Sequence, residues 1–417
     1  MKFGLIGNPL KHSHSPELHA AFGIEGYRLC EVLPEDLDGF FRRRDFAGIN
    51  VTIPYKQAVI KYLDYVDEGA LACGAVNTVI NDNGKLLGFN TDIEGMGFAI
   101  SRAGISLNGK SVLVLGSGGT SHTAQALARR EGARCIRVAS RSGEIDYGNV
   151  YSLNDVQIVV NTTPVGMYPD TEKSPLDLSR FPALEGVFDA VFNPLCTRFA
   201  AQAKSLGIPC GDGLLMLAAQ AMAAKKIFLG ECRTVSALTP EEGETVVRAT
   251  RELKRALCNI VLEGMPSSGK STVGRLVAEK TGKAFVDTDA VIETKTGKSI
   301  PQIFAERGEK GFRAIESETV AECSLKQGCV IATGGGAVLS ERNRLNLKAN
   351  GVIVWLKRDT RSLSCEGRPL STDAERLKTM YEERRPVYET FADITADNNG
   401  APEKTAEEIV RIYGETI

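Results

Sequence analysis

The chain has 417 residues, of which 43% are hydrophobic and 24% charged, with 50 Lys+Arg against 52 Asp+Glu for a formal charge of −2. At roughly 150 residues per domain this accommodates about three domains, and the composition excludes a disordered chain. The balanced charge argues against a dedicated nucleic-acid binder, and no apolar run reaches the ~18 residues that span a bilayer. The opening MKFGLIGNPLKHSHSP breaks its apolar stretch at Asn8-Pro9, too short for a secretory leader. Ten cysteines are scattered with no CxxC pair, so reduced thiols in a cytoplasmic protein are expected rather than disulfides or zinc.

Apolar runs at Phe3–Gly7, 49–53, Ser111–Leu115, 136–139, Ile158–Asn161, Asn259–Glu263, 330–333 and 352–356 alternate with helix-like stretches. That alternation predicts doubly wound α/β sheets, mostly parallel. No repeat or low-complexity tract interrupts it. The expected joint is the charged helix Pro240–Leu257, which starts Thr239-Pro240-Glu241-Glu242 as an N-cap, a first-turn proline and first-turn acids, and runs directly into Asn259–Glu263.

Four motifs precede the first glycine-rich loop: Asn8-Pro9-Leu10-Lys11-His12-Ser13-His14-Ser15-Pro16, Asn50-Val51-Thr52-Ile53-Pro54-Tyr55-Lys56, Gly74-Ala75-Val76-Asn77-Thr78 and Gly88-Phe89-Asn90-Thr91-Asp92. The loop itself, Gly116-Ser117-Gly118-Gly119-Thr120-Ser121, follows a strand and opens a helix to about Arg130, as a dinucleotide turn does, with Ser121 at the third glycine position. The next strand ends in Ser140-Arg141-Ser142, where an arginine in place of an acid suits the 2′-phosphate of NADP. Asn161-Thr162-Thr163-Pro164-Val165-Gly166-Met167 and Asp212-Gly213 through Gln220 continue the series.

In this order the motifs closely resemble shikimate dehydrogenase, over about Met1 to Leu257. The resemblance implies that Ser13 and Ser15 bind the substrate carboxylate and that Thr52, Asn77 and Gln220 bind its hydroxyls. Lys56 and Asp92 would form the catalytic pair. NADP(H) would lie along Gly116, Ser117, Gly118, Gly119, Thr120, Ser140, Arg141, Ser142, Ala190 and Gly213. The pair suits the chemistry, because hydride delivery to a ketone builds negative charge on oxygen that an ammonium can stabilise and then protonate. His12, His14 and His19 read as helix-start or surface residues. The family pattern is departed from at Phe192, where a substrate-touching tyrosine is common, and at Leu215, where a glycine is.

The second loop, Gly264-Met265-Pro266-Ser267-Ser268-Gly269-Lys270-Ser271, fits GxxxxGK[ST] between a strand and the helical stretch 272–281. Backbone N–H groups there can cradle phosphates, with Lys270 reaching the β/γ-phosphates and Ser271 the Mg²⁺. Alternation along the strand 284–286 and beyond is expected to put Asp287 and Asp289 on one side at its carboxyl end. Phe312-Arg313-Ala314-Ile315-Glu316, Thr333-Gly334-Gly335-Gly336, Arg361, Gly367-Arg368-Pro369-Leu370 and Arg384-Arg385-Pro386-Val387-Tyr388 follow.

Together these resemble shikimate kinase, over about Asn259 to Ile417. The resemblance implies an ATP site of Ser267, Ser268, Gly269, Lys270, Ser271 and Thr272, with Arg361 near adenine and Arg368 on a lid. It implies Mg²⁺ held through Ser271 and Asp287. Shikimate would be bound by Asp289 (also the candidate base), Arg313, Gly335 and Arg384. Any one exposed Arg or Asp is more often a solvated surface charge; the ordered set carries the assignment. The lid reads RPLS where the family usually has a second apolar residue, and no arginine follows Asp397 for an additional adenine contact.

The expected architecture is an α/β substrate lobe (about 1–95 with closing helices at about 213–257), a Rossmann NADP-binding lobe (about 96–212) and a P-loop kinase α/β domain (258–417). The expected activity is NADPH-dependent reduction of 3-dehydroshikimate to shikimate, then ATP-dependent phosphorylation of shikimate, with no nucleic-acid or membrane partner. A monomer and a homodimer both fit. Two alternatives are a broader quinate/shikimate dehydrogenase in the first half, and one half acting as a ligand sensor without turnover.

Overall fold

The computed structural model describes residues 1–10, 13–363 and 374–417. The chain divides into two compact units: Met1–Met167 with Lys173–Asn193 and Thr197–Leu253, and Tyr168–Glu172 with Pro194–Cys196 and Lys254–Ile417.

The first unit contains two sheets. Strands β1 (Phe3–Gly7), β2 (Arg28–Glu31), β3 (Gly48–Val51), β4 (Tyr65–Val66), β5 (Thr78–Asp82) and β6 (Lys85–Phe89) form one in the order β2-β1-β3-β5-β6-β4. Three of its five pairings are parallel, as expected, while β3 pairs antiparallel with β5, and β5 with β6. The β5–β6 reversal is made by the Asn83-Gly84 hairpin turn, with φ of +52° and +88° at its two residues, the backbone a type I′ turn requires. Strands β7 (Ser111–Leu115), β8 (Cys135–Ala139), β9 (Ile158–Asn161), β10 (Gly186–Asp189) and β11 (Cys210–Asp212) form the second sheet, all parallel, in the order β11-β10-β9-β7-β8. Each strand is a short apolar run because helices cover both faces.

The helices Asp92–Arg102 and Gly213–Phe228 pack on each other. The first contributes Ile93, Met96, Ala99 and Ile100 to the core beneath β7 and β9. The second places Ala218, Ala219 and Met222 against Leu18, Phe22, Val246 and Ala249. Val246 and Ala249 belong to Pro240–Leu257, whose apolar stripe anchors it here. Burying each large aliphatic or aromatic side chain in such a cluster is worth about 1.5–3 kcal/mol.

The second unit holds β12 (Asn259–Glu263), β13 (Ala284–Asp287), β14 (Cys329–Ala332), β15 (Gly351–Lys357) and β16 (Ile394–Asp397), all parallel, in the order β13-β14-β12-β15-β16. Alternate residues feed two cores: Val261, Ile331, Ile353 and Trp355 on one face, Ile260, Leu262, Val330 and Val354 on the other.

Candidate active sites

In the first unit the turn after β3 carries Lys56, β5 starts after Asn77, and β6 leads into the helix Asp92–Arg102. These three segments meet. Lys56 Nζ lies 2.5 Å from Asp92 Oδ2, with 18% and 9% of the two side chains exposed. Asp92 opens its helix, so the N-terminal N–H groups favour its carboxylate charge. Asn77 Nδ2 donates to Asp92 Oδ1 at 2.9 Å, Thr91 Oγ1 at 3.0 Å and Gln220 Oε1 at 3.4 Å. The Thr91 N–H donates back to Asn77 Oδ1 at 2.8 Å, which fixes the amide's orientation.

Behind this cluster stands a shell to which the sequence motifs assign no role: Asn50 and Thr78 stand in them, Tyr27 and His19 do not. Asn50 pairs with Thr78 across β3 and β5 and donates to Thr78 Oγ1 at 3.0 Å, and Thr78 donates to Asn77 Oδ1 at 3.0 Å. Tyr27 donates to Asn50 Oδ1 at 2.7 Å, and His19 Nε2 lies 3.1 Å from the same oxygen. His19 is therefore no surface residue. It is fully buried and stacked on Tyr27, and burial lowers its pKa to about 4, so it stays neutral. His14 precedes the helix Ser15–Ala21, as expected, with its ring edge-on to Phe192 at 6.3 Å; His12 lies outside the described residues. Ser13 donates to Ser15 Oγ at 3.1 Å. Thr52 is half-buried beside Gly7 and makes no side-chain hydrogen bond to the cluster.

The parallel register ends β7, β8, β9, β10 and β11 level, at Leu115, Ala139, Asn161, Asp189 and Asp212. The residues that follow therefore share one edge. Gly116 has φ +103°, closed to other residue types, and Gly118 starts the helix Gly119–Arg130 with Thr120 in its first turn. A methyl group on Gly213 would stand 2.6 Å from the Ala190 carbonyl oxygen, so the last two positions approach as only glycine permits. Ser121, at the third motif position, is fully buried, small enough for the helix to lie against the sheet. Arg141 and Ser142 are exposed, Ser140 half-buried, and Arg141 makes no ion pair among the described residues. An open turn at a helix N-terminus beside an unpaired guanidinium fits the pyrophosphate and 2′-phosphate of NADP(H). Asp189, near this edge, is raised to about 6 by burial while accepting from Thr197, Val191 and Asn161.

In the second unit the loop after β12 contains Ser267 at φ +63° and Gly269 at φ +95°, followed by the helix Lys270–Thr281. Lys270 Nζ donates to the carbonyls of Gly264 and Met265, both at 2.9 Å. Ser268 is buried and Thr272 exposed. Ser271 donates to Asp287 Oδ2 at 2.6 Å. This adjacent hydroxyl and carboxylate offer two oxygen donors of the kind a small hard cation takes.

Asp289 is not on an extended strand. The strand stops at Asp287, which caps the helix Thr288–Thr296 by accepting from Asp289 N at 3.1 Å, and Asp289 sits in that first turn. The Gly334–Gly336 loop lies over these groups. A methyl on Gly334 would meet Glu316 Oε1 at 2.7 Å and Asp289 Oδ1 at 2.9 Å, while one on Gly336 would meet the Arg313 guanidinium. Arg313 pairs with Glu316 at 2.7 Å and Glu309 at 3.3 Å. Arg384, itself buried, and Tyr388 both donate to the Gly335 carbonyl, at 3.0 and 2.5 Å. Burial raises Glu316 against the pull of Arg313. Glu263, which no motif singled out, is fully buried at the end of β12, has no hydrogen bond to either carboxyl oxygen among the described residues, and is pushed up to about 8 by burial despite Lys270 nearby.

Arg361 lies in the short helical turn after β15. Its side chain is 88% exposed and paired with Asp359 at 2.6 Å, which draws that carboxyl down to about 2. Arg368 lies outside the described residues.

Residues 5–79 match the family model for the shikimate dehydrogenase substrate binding domain, and residues 266–413 that for shikimate kinase. The NADP(+) shikimate dehydrogenase of Caldanaerobacter subterraneus is 35% identical over 256 residues, covering 55% of this chain and 91% of that one. The chain belongs to the shikimate dehydrogenase family. A second relative, the NADP(+) shikimate dehydrogenase of Thermus thermophilus, is 37% identical over 247 residues, with 55% and 93% covered. The crystal structure of a Thermus thermophilus shikimate 5-dehydrogenase in complex with NADP(H) and shikimate matches at TM-score 0.52 and 34% identity, covering 60% of this chain and 99% of that one. A chorismate mutase/shikimate 5-dehydrogenase fusion from Clostridium acetobutylicum matches at TM-score 0.55 and 33% identity, with 60% and 96% covered. Here the dehydrogenase family member continues into a shikimate kinase domain.

Proposed function

We propose that this chain is a bifunctional enzyme: residues 1–257 reduce 3-dehydroshikimate to shikimate with NADPH, and residues 258–417 phosphorylate shikimate from ATP. The observation that carries the first activity is the Lys56–Asp92 pair at 2.5 Å within reach of Asn77 and Gln220. Ser13 and Ser15 hold the substrate carboxylate, and Thr52, Asn77 and Gln220 hold its hydroxyls. NADPH supplies the hydride when bound along Gly116–Thr120, Ser140–Ser142, Ala190 and Gly213. The Lys56 ammonium stabilises the charge growing on the carbonyl oxygen and then gives it a proton. Asp92 holds that ammonium in position.

In the second part, Arg313 and Arg384 grip the carboxylate of shikimate beside Gly335, and Asp289 orients the acceptor hydroxyl and takes its proton. Lys270 exchanges its two loop carbonyls for phosphate oxygens. Ser271 and Asp287 would hold Mg²⁺, which neutralises phosphate charge. The cysteines among the described residues are all free, which supports a reducing cytoplasm; no helix there is long and apolar enough to cross a membrane. The test is separate assays of the full chain: NADPH consumption with 3-dehydroshikimate, and shikimate 3-phosphate formation with MgATP and shikimate. Absence of either activity sinks that half.

A further inference from the structure

Asn77 stands just before β5, and its side-chain amide faces Asp92 and Gln220. An amide oxygen has two lone pairs, and both of those on Asn77 Oδ1 are taken. The Thr91 N–H donates to the oxygen at 2.8 Å and the Thr78 hydroxyl at 3.0 Å. Thr91 Oγ1, 3.2 Å from the same oxygen, is left to accept from Asn77 Nδ2 at 3.0 Å. The direction of the Thr78 bond follows from its own partner. Thr78 Oγ1 accepts from Asn50 Nδ2 at 3.0 Å, so its single proton goes to Asn77, the nearer of its remaining neighbours, with Thr91 Oγ1 at 3.3 Å. Asn50 is held at both ends. Its Oδ1 accepts from Tyr27 at 2.7 Å and lies 3.1 Å from His19 Nε2, while its Nδ2 also donates to the Asn77 carbonyl at 3.2 Å. All of these side chains are buried, where an unmade hydrogen bond is costly. Donation therefore runs one way, from Tyr27 to Asn50, Thr78 and Asn77, and ends on Asp92 Oδ1 at 2.9 Å. The Thr91 N–H alone would stop the amide from flipping and leave it free to rock. The Thr78 hydroxyl removes that second freedom.

We propose that Thr78, held by Asn50, is a positioning residue for the reduction: its hydroxyl locks the Asn77 amide so that Nδ2 stays aimed at Asp92 and the substrate hydroxyl. The inference rests on the dehydrogenase reading and deepens it. It is tested on the full chain with shikimate and NADP⁺ in the absence of ATP, so that oxidation alone is read. Thr78→Val keeps the shape and removes the hydroxyl; Thr78→Ser keeps the hydroxyl and removes the methyl. Thr78→Val should raise KM for shikimate by about tenfold and leave KM for NADP⁺ within about twofold, while Thr78→Ser stays within about twofold on both. A packing role predicts the reverse order, because serine is the variant that opens a cavity. The second readout needs no turnover. In a chain carrying isotope-labelled asparagine, the Asn77 side-chain amide signal is identified by its loss in Asn77→Asp. Its hydrogens should exchange with water about tenfold faster or more in Thr78→Val than in wild type or Thr78→Ser. Thr78→Ala removes the same hydroxyl and covers a valine variant that fails to fold. Equal effects of valine and serine, a serine variant worse than valine, or an unchanged Asn77 signal in folded Thr78→Val would each overturn it. Wild type that oxidises no shikimate would remove the dehydrogenase reading, and the Asn77 signal would still decide what Thr78 does.

Discussion

Arg141 and Glu263 make opposite residue-level cases, one charge left open for a ligand and the other shut in the core. Arg141 is exposed and makes no ion pair among the described residues, so charge-assisted bonds to a 2′-phosphate should bring ~1.5–3 kcal/mol of preference for NADPH over NADH. Arg141→Ala should narrow that preference by about ten- to a hundredfold in kcat/KM; an unchanged ratio would place the 2′-phosphate elsewhere. Glu263 has its folded pKa raised to about 8, against ~4.3 in an unfolded chain. Its stabilising contribution is therefore whole below about pH 4 and is lost as pH rises towards 8. Trp355, the only tryptophan and buried in the same unit, reports unfolding there. Denaturation should show wild type losing stability from about pH 5.5 to about pH 8, and Glu263→Gln losing about 1 kcal/mol or more less; equal slopes would assign the pH dependence to other groups. The Lys56–Asp92 meeting could be anticipated because both residues stand in long ordered motifs. The contacts of Thr78 and Asn50 could not, since they depend on strand register.

At the level of elements, glycines at the Gly334–Gly336 loop set how closely the loop approaches its acids. Gly334→Ala puts a methyl 2.7 Å from Glu316 Oε1, and overpacking of this kind costs about 1–3 kcal/mol. Kinase kcat/KM for shikimate should fall by about tenfold or more while reduction is unchanged, and a fully active variant would show that the loop yields. The parallel sheets were legible because both faces of each strand are covered, leaving continuous apolar runs. Asn83-Gly84, a two-residue hairpin signal, makes β5 and β6 antiparallel within a first sheet that is otherwise mostly parallel. Asp289 was misplaced because Asp287 can cap a helix as readily as extend a strand, and it caps.

For the whole molecule, two glycine-rich loops stand in two compact units, each with its own core. Their chemistry is expected to be separable. Lys56→Ala should lower reduction by about a hundredfold or more and leave phosphorylation of supplied shikimate near normal. Lys270→Ala should do the converse, and loss of both activities in either folded variant would mean that the sites are not independent. The most direct single measurement gives the intact chain 3-dehydroshikimate, NADPH and MgATP, and follows NADPH loss together with shikimate 3-phosphate. The expected result is phosphate ester appearing after NADPH is consumed and reaching one ester per NADPH oxidised. NADPH consumption with no ester, or no NADPH consumption at all, would contradict it.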